Sequence, residues 1–181
     1  MKRLATGLLL LAFMVGPAAA ETRFWAYDAS DRVTQALTQG ITIEIRRNFF
    51  GAVSVQRLFS TTARGSAEIR RGGPHETRAA LPAGVRANDV YGIVKEGDGR
   101  GLVRALCPGA DDAWLLTGRI RQGDPITLYA VGRWTDGTYR HCVTLSYTYR
   151  GEWPLPRRVA PQLDEASPSI QVGFRTVMDR C

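Results

Sequence analysis

Apolar side chains recur at every second position along much of this 181-residue chain, and a period of two belongs to strands that bury one face. In residues 41–46, Ile41, Ile43 and Ile45 point one way while Thr42, Glu44 and Arg46 point the other. The same pattern predicts strands over Leu102–Cys107, Trp114–Arg121, Ile126–Trp134 and Tyr139–Arg150, with looser alternation in Ala52–Phe59 and Val90–Lys95. Half-buried strands in succession make antiparallel sheet. The expected fold is mainly β: a single-domain antiparallel β-barrel or a two-layer β-sandwich, with one short N-terminal helix. Asp28-Ala29-Ser30-Asp31 offers N-caps for that helix, Val33, Ala36 and Leu37 share one of its faces, and Gly40 is placed for the left-handed position after it.

Asp136-Gly137 sets the register of the last two of these strands. A two-residue Asp-Gly loop in a type I′ turn pairs Trp134 with Tyr139, Leu128 with Leu145 and Ile126 with Tyr147, so each apolar residue meets another. Residues Trp114–Arg150 then form a three-stranded meander. Lys95-Glu96-Gly97-Asp98-Gly99 reads as a glycine-rich hairpin turn, because it lacks the alternating acids of a calcium loop. Residues 153–168 hold Pro154, Pro156, Pro161 and Pro168 and predict an extended strap. Residues 169–180 fit a strand or a helix, with Gly173 and the β-branched content favouring a strand.

Composition excludes a collagen-like repeat, a disordered polyelectrolyte and a polytopic membrane protein, since 44% of the residues are hydrophobic and 23% charged. The first twenty residues read as a signal peptide. Met1-Lys2-Arg3 is basic, Leu4 to Gly16 is largely apolar, Pro17 breaks the run, and Ala18-Ala19-Ala20 suits a signal peptidase that cuts between Ala20 and Glu21. The apolar stretch is shorter than the about 20 residues needed to cross a bilayer. Residues 21–181 are therefore expected to form a single exported β-rich domain, periplasmic or secreted, with no transmembrane segment. Removing Lys2 and Arg3 takes the net charge from +7 to +5.

The Asp-Gly register also sets Arg133 opposite Arg140 on the outward face. Arg119, Arg121 and Arg150 share that parity with Thr127, Tyr129, Thr144, Ser146 and Thr148, and no carboxylate stands among these positions. Opposed like charges weaken a strand pair, whereas guanidinium groups suit phosphate, sulfate and carboxylate oxygens. Arg119, Arg121, Arg133, Arg140, Arg150 and Tyr129 thus form a candidate anion-binding face. The alternative is a solvated face whose arginines splay apart to meet loop carboxylates such as Asp111-Asp112.

In an exported protein two of the three cysteines are expected to be bridged, and Cys107 with Cys142 is the preferred pair because it would hold the meander closed. Cys181, the last residue, is then available for intermolecular pairing, and the alternative connectivity, Cys181 to Cys107 or Cys142, would staple the tail down instead. His141 shares the parity of Val143 and Leu145, as a core histidine near a sheet rim would, and His75 lies in the loop Gly72-Gly73-Pro74-His75-Glu76 with Ser66 and Glu68 nearby in sequence. No nucleophile elbow surrounds a serine, no metal-ligand spacing occurs, and no cofactor motif is present. The function expected is that of a non-catalytic binding protein for an anionic envelope component or a protein partner, with no nucleic-acid role. A small hydrolase using His75 or His141, and a disulfide-stabilised inhibitor or structural module, are the alternatives.

Overall fold

Eight strands and three short helices follow one another in a computed structural model that describes residues 21–47, 53–62 and 65–154. In chain order they are β1 (Glu21–Ala29), α1 (Arg32–Leu37), β2 (Gly40–Arg47), β3 (Val53–Ser60), β4 (Ser66–Arg71), α2 (Glu76–Ala79), β5 (Asp89–Ile93), α3 (Gly99–Leu106), β6 (Asp112–Thr117), β7 (Ile126–Arg133) and β8 (Tyr139–Pro154). Each strand pairs antiparallel with the next, and β8 returns to β1, so the sheet closes into a barrel. Closure leaves no strand edge unpaired, and eight strands enclose an interior that side chains can fill. The anticipated signal segment, the strap beyond Pro154, residues 169–180 and Cys181 lie outside the described residues.

The inward row is the period-two row of the sequence, joined by β1 and β4, which that alternation did not mark. Ile41, Ile43 and Ile45 from β2, Ala67 and Ile69 from β4, and Leu128 and Ala130 from β7 meet Trp25, Tyr27, Leu115, Leu145 and Tyr147 in one buried cluster. One end of the barrel, where β2, β4, β6 and β8 begin, is closed by α3. Leu102, Val103 and Leu106 fall on one face of that helix and complete the cluster, with Arg100 and Arg104 on the other. The segment read as a strand over Leu102–Cys107 is therefore helical. Both faces of the supposed strand would be apolar, whereas the i, i+1, i+4 spacing gathers the apolar residues on one side of a helix. Lys95–Gly99 accordingly leads into α3 and forms no hairpin.

The Asp136-Gly137 register holds only in part. Ile126–Tyr147 and Leu128–Leu145 pair as expected, but beyond Ala130–Val143 the ladder slips, so Arg133 lies opposite Tyr139 and Arg140 opposite Gly132. The loop has three residues. Trp134 NH donates to Thr138 O (3.0 Å), Gly137 NH donates to Trp134 O (2.9 Å), and Gly137 takes φ 78°. This is the hairpin in which a residue in the left-handed region follows the turn. A bulge at Cys142 then restores the core pairing, so burial of the apolar row and not the turn fixes the register.

Helix α1 departs from its expected stripe. Val33 and Ala36 are exposed, while Thr34 and Thr38 are buried. Thr34 accepts from Ser146 NH (2.9 Å) and Thr38 bonds the Tyr147 hydroxyl (3.0 Å), so hydroxyl hydrogen bonds dock the helix on β8. Asp31 is the N-cap, accepting from Thr34 NH at 2.9 Å. The left-handed residue after α1 is Gln39, with φ 58°. Gly40 serves close approach instead, since a Cβ there would stand 2.7 Å from Tyr27 O.

The wall is not wet everywhere outside. The connection between β4 and β5, which carries α2, lays Ala80, Leu81 and Ala87 over Val90, Leu116 and Val131, with Trp114, Tyr129 and Tyr139 alongside. These outward residues form a second apolar layer, separate from the barrel interior.

A candidate anion site in the barrel mouth

Opposite α3, the inward rows end in charge. The parity of Ile41, Ile43 and Ile45 continues to Arg47, and that of Ala67 and Ile69 continues to Arg71. The eight-residue connection 118–125 between β6 and β7 runs along the same rim and carries Arg119, Ile120, Arg121 and Gln122. Together with Trp25, Val53, Val55, Asp89 and Tyr91 these residues line an open cavity of about 590 Å³.

Four arginines and one aspartate give this lining a formal charge of +3. Arg71 pairs with Asp89 at 2.5 Å, whereas no carboxylate of the described residues lies within 4 Å of Arg47, Arg119 or Arg121. A concave site lined with one sign of charge focuses field and concentrates counter-ions. Below the rim the lining turns apolar. Trp25 and Tyr91 are only 2% and 6% exposed, and burial, followed by the charge of Asp89, pushes the Tyr91 phenol up to about 12.

Glu152 on β8 organises one side of the mouth. Its carboxylate accepts from Trp25 Nε1 at 3.2 Å and also from Arg23 and from Gln122 Nε2. The Gln122 contact ties the arginine-bearing loop to the wall, and the Arg23 contact neutralises the acid. A smaller depression on the outer face of β1 to β4 offers a contrast: Arg46 and Arg57 are balanced there by Glu44 and Glu68.

The six residues of the anticipated anion face are not brought together. Arg119 and Arg121 reach the mouth, but from a loop, because β6 stops at Thr117. Arg133 stands at the α3 end and pairs with Asp112, which also meets Lys95 at 2.6 Å. Partial burial opposes the charge on Asp112, yet hydrogen bonds from Lys95 and Arg133 outweigh it and hold the carboxyl below its usual range. Arg140 pairs with Asp136 at 3.0 Å and lies over the Trp134 ring, 5.1 Å from its centroid. Arg150 sits at a bulge in β8 and reaches Asp28 at 3.4 Å. Tyr129 packs against the apolar layer under α2. The like-charge conflict is thus removed by the slipped register and by three acids that strand parity alone did not place nearby. Sequence reasoning missed Arg47, which extends the row of Ile41, Ile43 and Ile45, and Arg71, whose strand β4 the alternation did not mark.

The bulge at Cys142 also reverses the expected side of His141. The ring faces outward, with Nε2 at 3.0 Å from Thr144 Oγ1 and Tyr129 beside it. His75 is exposed and meets Glu76 at 3.3 Å. Among the described residues neither histidine bonds both a hydroxyl and a carboxylate, and no three His, Cys, Asp or Glu side chains converge as metal ligands. No described helix is long and apolar enough to cross a membrane. Cys107 and Cys142 are bonded, with Cα atoms 5.3 Å apart. Comparison of the chain with protein-family models, with curated proteins and with solved structures finds no match.

Proposed function

We propose that the protein is an exported, non-catalytic binding protein that takes a small anionic ligand from the cell envelope in the mouth of its barrel. The observation that carries this reading is the gathering of Arg47, Arg71, Arg119 and Arg121 around one concave site lined by a single carboxylate, Asp89, with Glu152 beside it already neutralised by Arg23. Guanidinium groups present paired donors that match phosphate and carboxylate oxygens, and barrel mouths are a common place for ligands. Export is supported by the signal-like first twenty residues, and by a disulfide of the kind that persists in oxidising compartments. A protein partner has less support, because the large hydrophobic side chains left exposed among the described residues, Val33 and Trp153, stand at opposite ends of the barrel.

Calorimetric titration with inorganic phosphate tests the reading. Arg119 and Arg121 lie on a surface loop, so Arg119→Ala/Arg121→Ala should fold and melt like the parent. The variant is expected to bind phosphate roughly tenfold more weakly, in line with the loss of two charge-assisted contacts. Equal affinities, or no binding by the parent, overturn the proposal. For export, a bacterial host should place the chain in its periplasm with Glu21 as the first residue; retention in the cytoplasm with Met1 intact overturns that part.

A further inference from the structure

The arginine-rimmed cavity is larger than an inorganic anion requires. Its volume of about 590 Å³ equals the liquid share of roughly twenty waters at about 30 Å³ each. It is also blind. Val55 lies opposite Ile45, two residues inside Arg47, and Trp25 lies opposite Ile43, four residues inside. Four residues at about 3.3 Å each, on strands tilted by about 40°, reach a depth of roughly 10 Å. From that level inward Ile41, Ile43, Leu58 and Leu102, none more than 3% exposed, fill the barrel. Charge and apolar surface are separated along this depth. Arg71, Arg119 and Arg121 are exposed at the rim, whereas Trp25 and Tyr91 are buried beneath them.

We propose that the mouth binds an amphipathic anion: one carboxylate or phosphate group on a compact apolar body no longer than about 10 Å, a limit set by the strand rise and tilt. The body enters first, against the half-buried Val53 and Ile120 that stand above Trp25, Val55 and Tyr91, and the head stays at the rim arginines. This inference rests on the reading that the mouth binds anions. A carboxylate and a phosphate monoester present the same oxygen geometry to a guanidinium fork, so a fatty acid and a phosphorylated lipid fragment are two sources of one ligand chemistry.

The test is a calorimetric series with acetate, octanoate, dodecanoate, inorganic phosphate and octyl phosphate, each below its micellar concentration. Burial of methylene groups predicts a gain of roughly tenfold or more for octanoate over acetate, or for octyl phosphate over phosphate; either supports the proposal, and the arm that shows it identifies the head group. Because the cavity is blind, dodecanoate should gain less than about threefold over octanoate, the added carbons staying in water. Ile120→Ser, in the rim loop, should weaken octanoate binding by a larger factor than phosphate binding, and equal factors overturn the proposal. Alkyl chains that add nothing, or affinity that keeps climbing with equal steps to dodecanoate, overturn the proposal. Where phosphate still binds in a manner dependent on Arg119 and Arg121, that result spares the anion reading; where neither phosphate nor octanoate binds, both fall.

Discussion

Cys142 is the residue by which β8 outnumbers β7, and its sulfur is bonded to Cys107 at the C-terminal end of α3. The three-residue loop at Asp136-Gly137 puts the hairpin one step out of phase, and the bulge at Cys142 brings it back before the core pairs begin. The bond therefore joins the point of register correction to the helix that closes the barrel.

Replacing both cysteines by alanine should lower stability substantially. A separation of 35 residues corresponds to about 4 kcal/mol in the chain-entropy treatment of a crosslink. Thermal or urea unfolding of Cys107→Ala/Cys142→Ala against the parent measures it. A loss under about 1 kcal/mol would show that the apolar face of α3 holds the closed end unaided.

Gly99 opens α3 in tight quarters: a Cβ added there would stand 1.8 Å from Val94 O, whereas Gly118 has nothing within 4 Å. Gly99→Ala is expected to cost about 1–3 kcal/mol through forced displacement of backbone. Gly118→Ala should fall within about 0.5 kcal/mol of the parent, as surface changes do. Unfolding midpoints of the two variants decide this, and equal effects would place the helix start elsewhere.

Asp89 is the carboxylate among the residues lining the cationic mouth, and it occupies Arg71, whereas Glu152 beside the mouth is held by Arg23. Asp89→Asn removes the competing anion while keeping the side-chain shape, so phosphate affinity should rise, by roughly threefold or more, with a change in stability of about 1 kcal/mol or less because the partner Arg71 stays in water. Titration of phosphate into parent and variant at the same ionic strength reads the change. A weaker complex would show that Asp89 orients Arg71 for the ligand.

Burial raises the Tyr91 phenol from 10.0 to about 12, and burial likewise drives Tyr27 and Tyr147 upward. A raised folded value means that the folded state holds the proton more tightly than the unfolded chain. Its stabilising contribution is complete below pH 10 and is lost as pH climbs from 10 towards 12. Melting temperature should thus decline over that window, and Tyr91→Phe should flatten part of the decline. A variant with the parent's slope would remove Tyr91 as a contributor.

Much of the barrel was legible because burial on one face writes itself into the sequence. Ile41, Ile43 and Ile45, the meander of β6 to β8, and the Cys107–Cys142 pair follow from alternation and chemistry. Helix α3 was not, since Leu102–Cys107 is short and its one-sided apolar spacing becomes decisive only where it packs against the open end of the barrel. Register near the turn was lost to a bulge, which a local pattern cannot show when Cys142 and His141 suit either face. The mouth was half legible: Arg119 and Arg121 were singled out for charge, but their meeting with Arg47 and Arg71 depends on closure of the sheet, which brings together residues far apart in the chain.

The apolar layer under the α2 connection has a mechanical consequence. The arc from β5 to β7 is dry on both sides, whereas β1 to β4 shows water a charged outer surface. Backbone amides of β6 and β7 should therefore be the last to exchange with deuterated solvent, making that arc the rigid spine of the wall. Any widening of the rim to admit a guest then falls to the opposite arc, where Arg47 and Val53 face each other across their ladder.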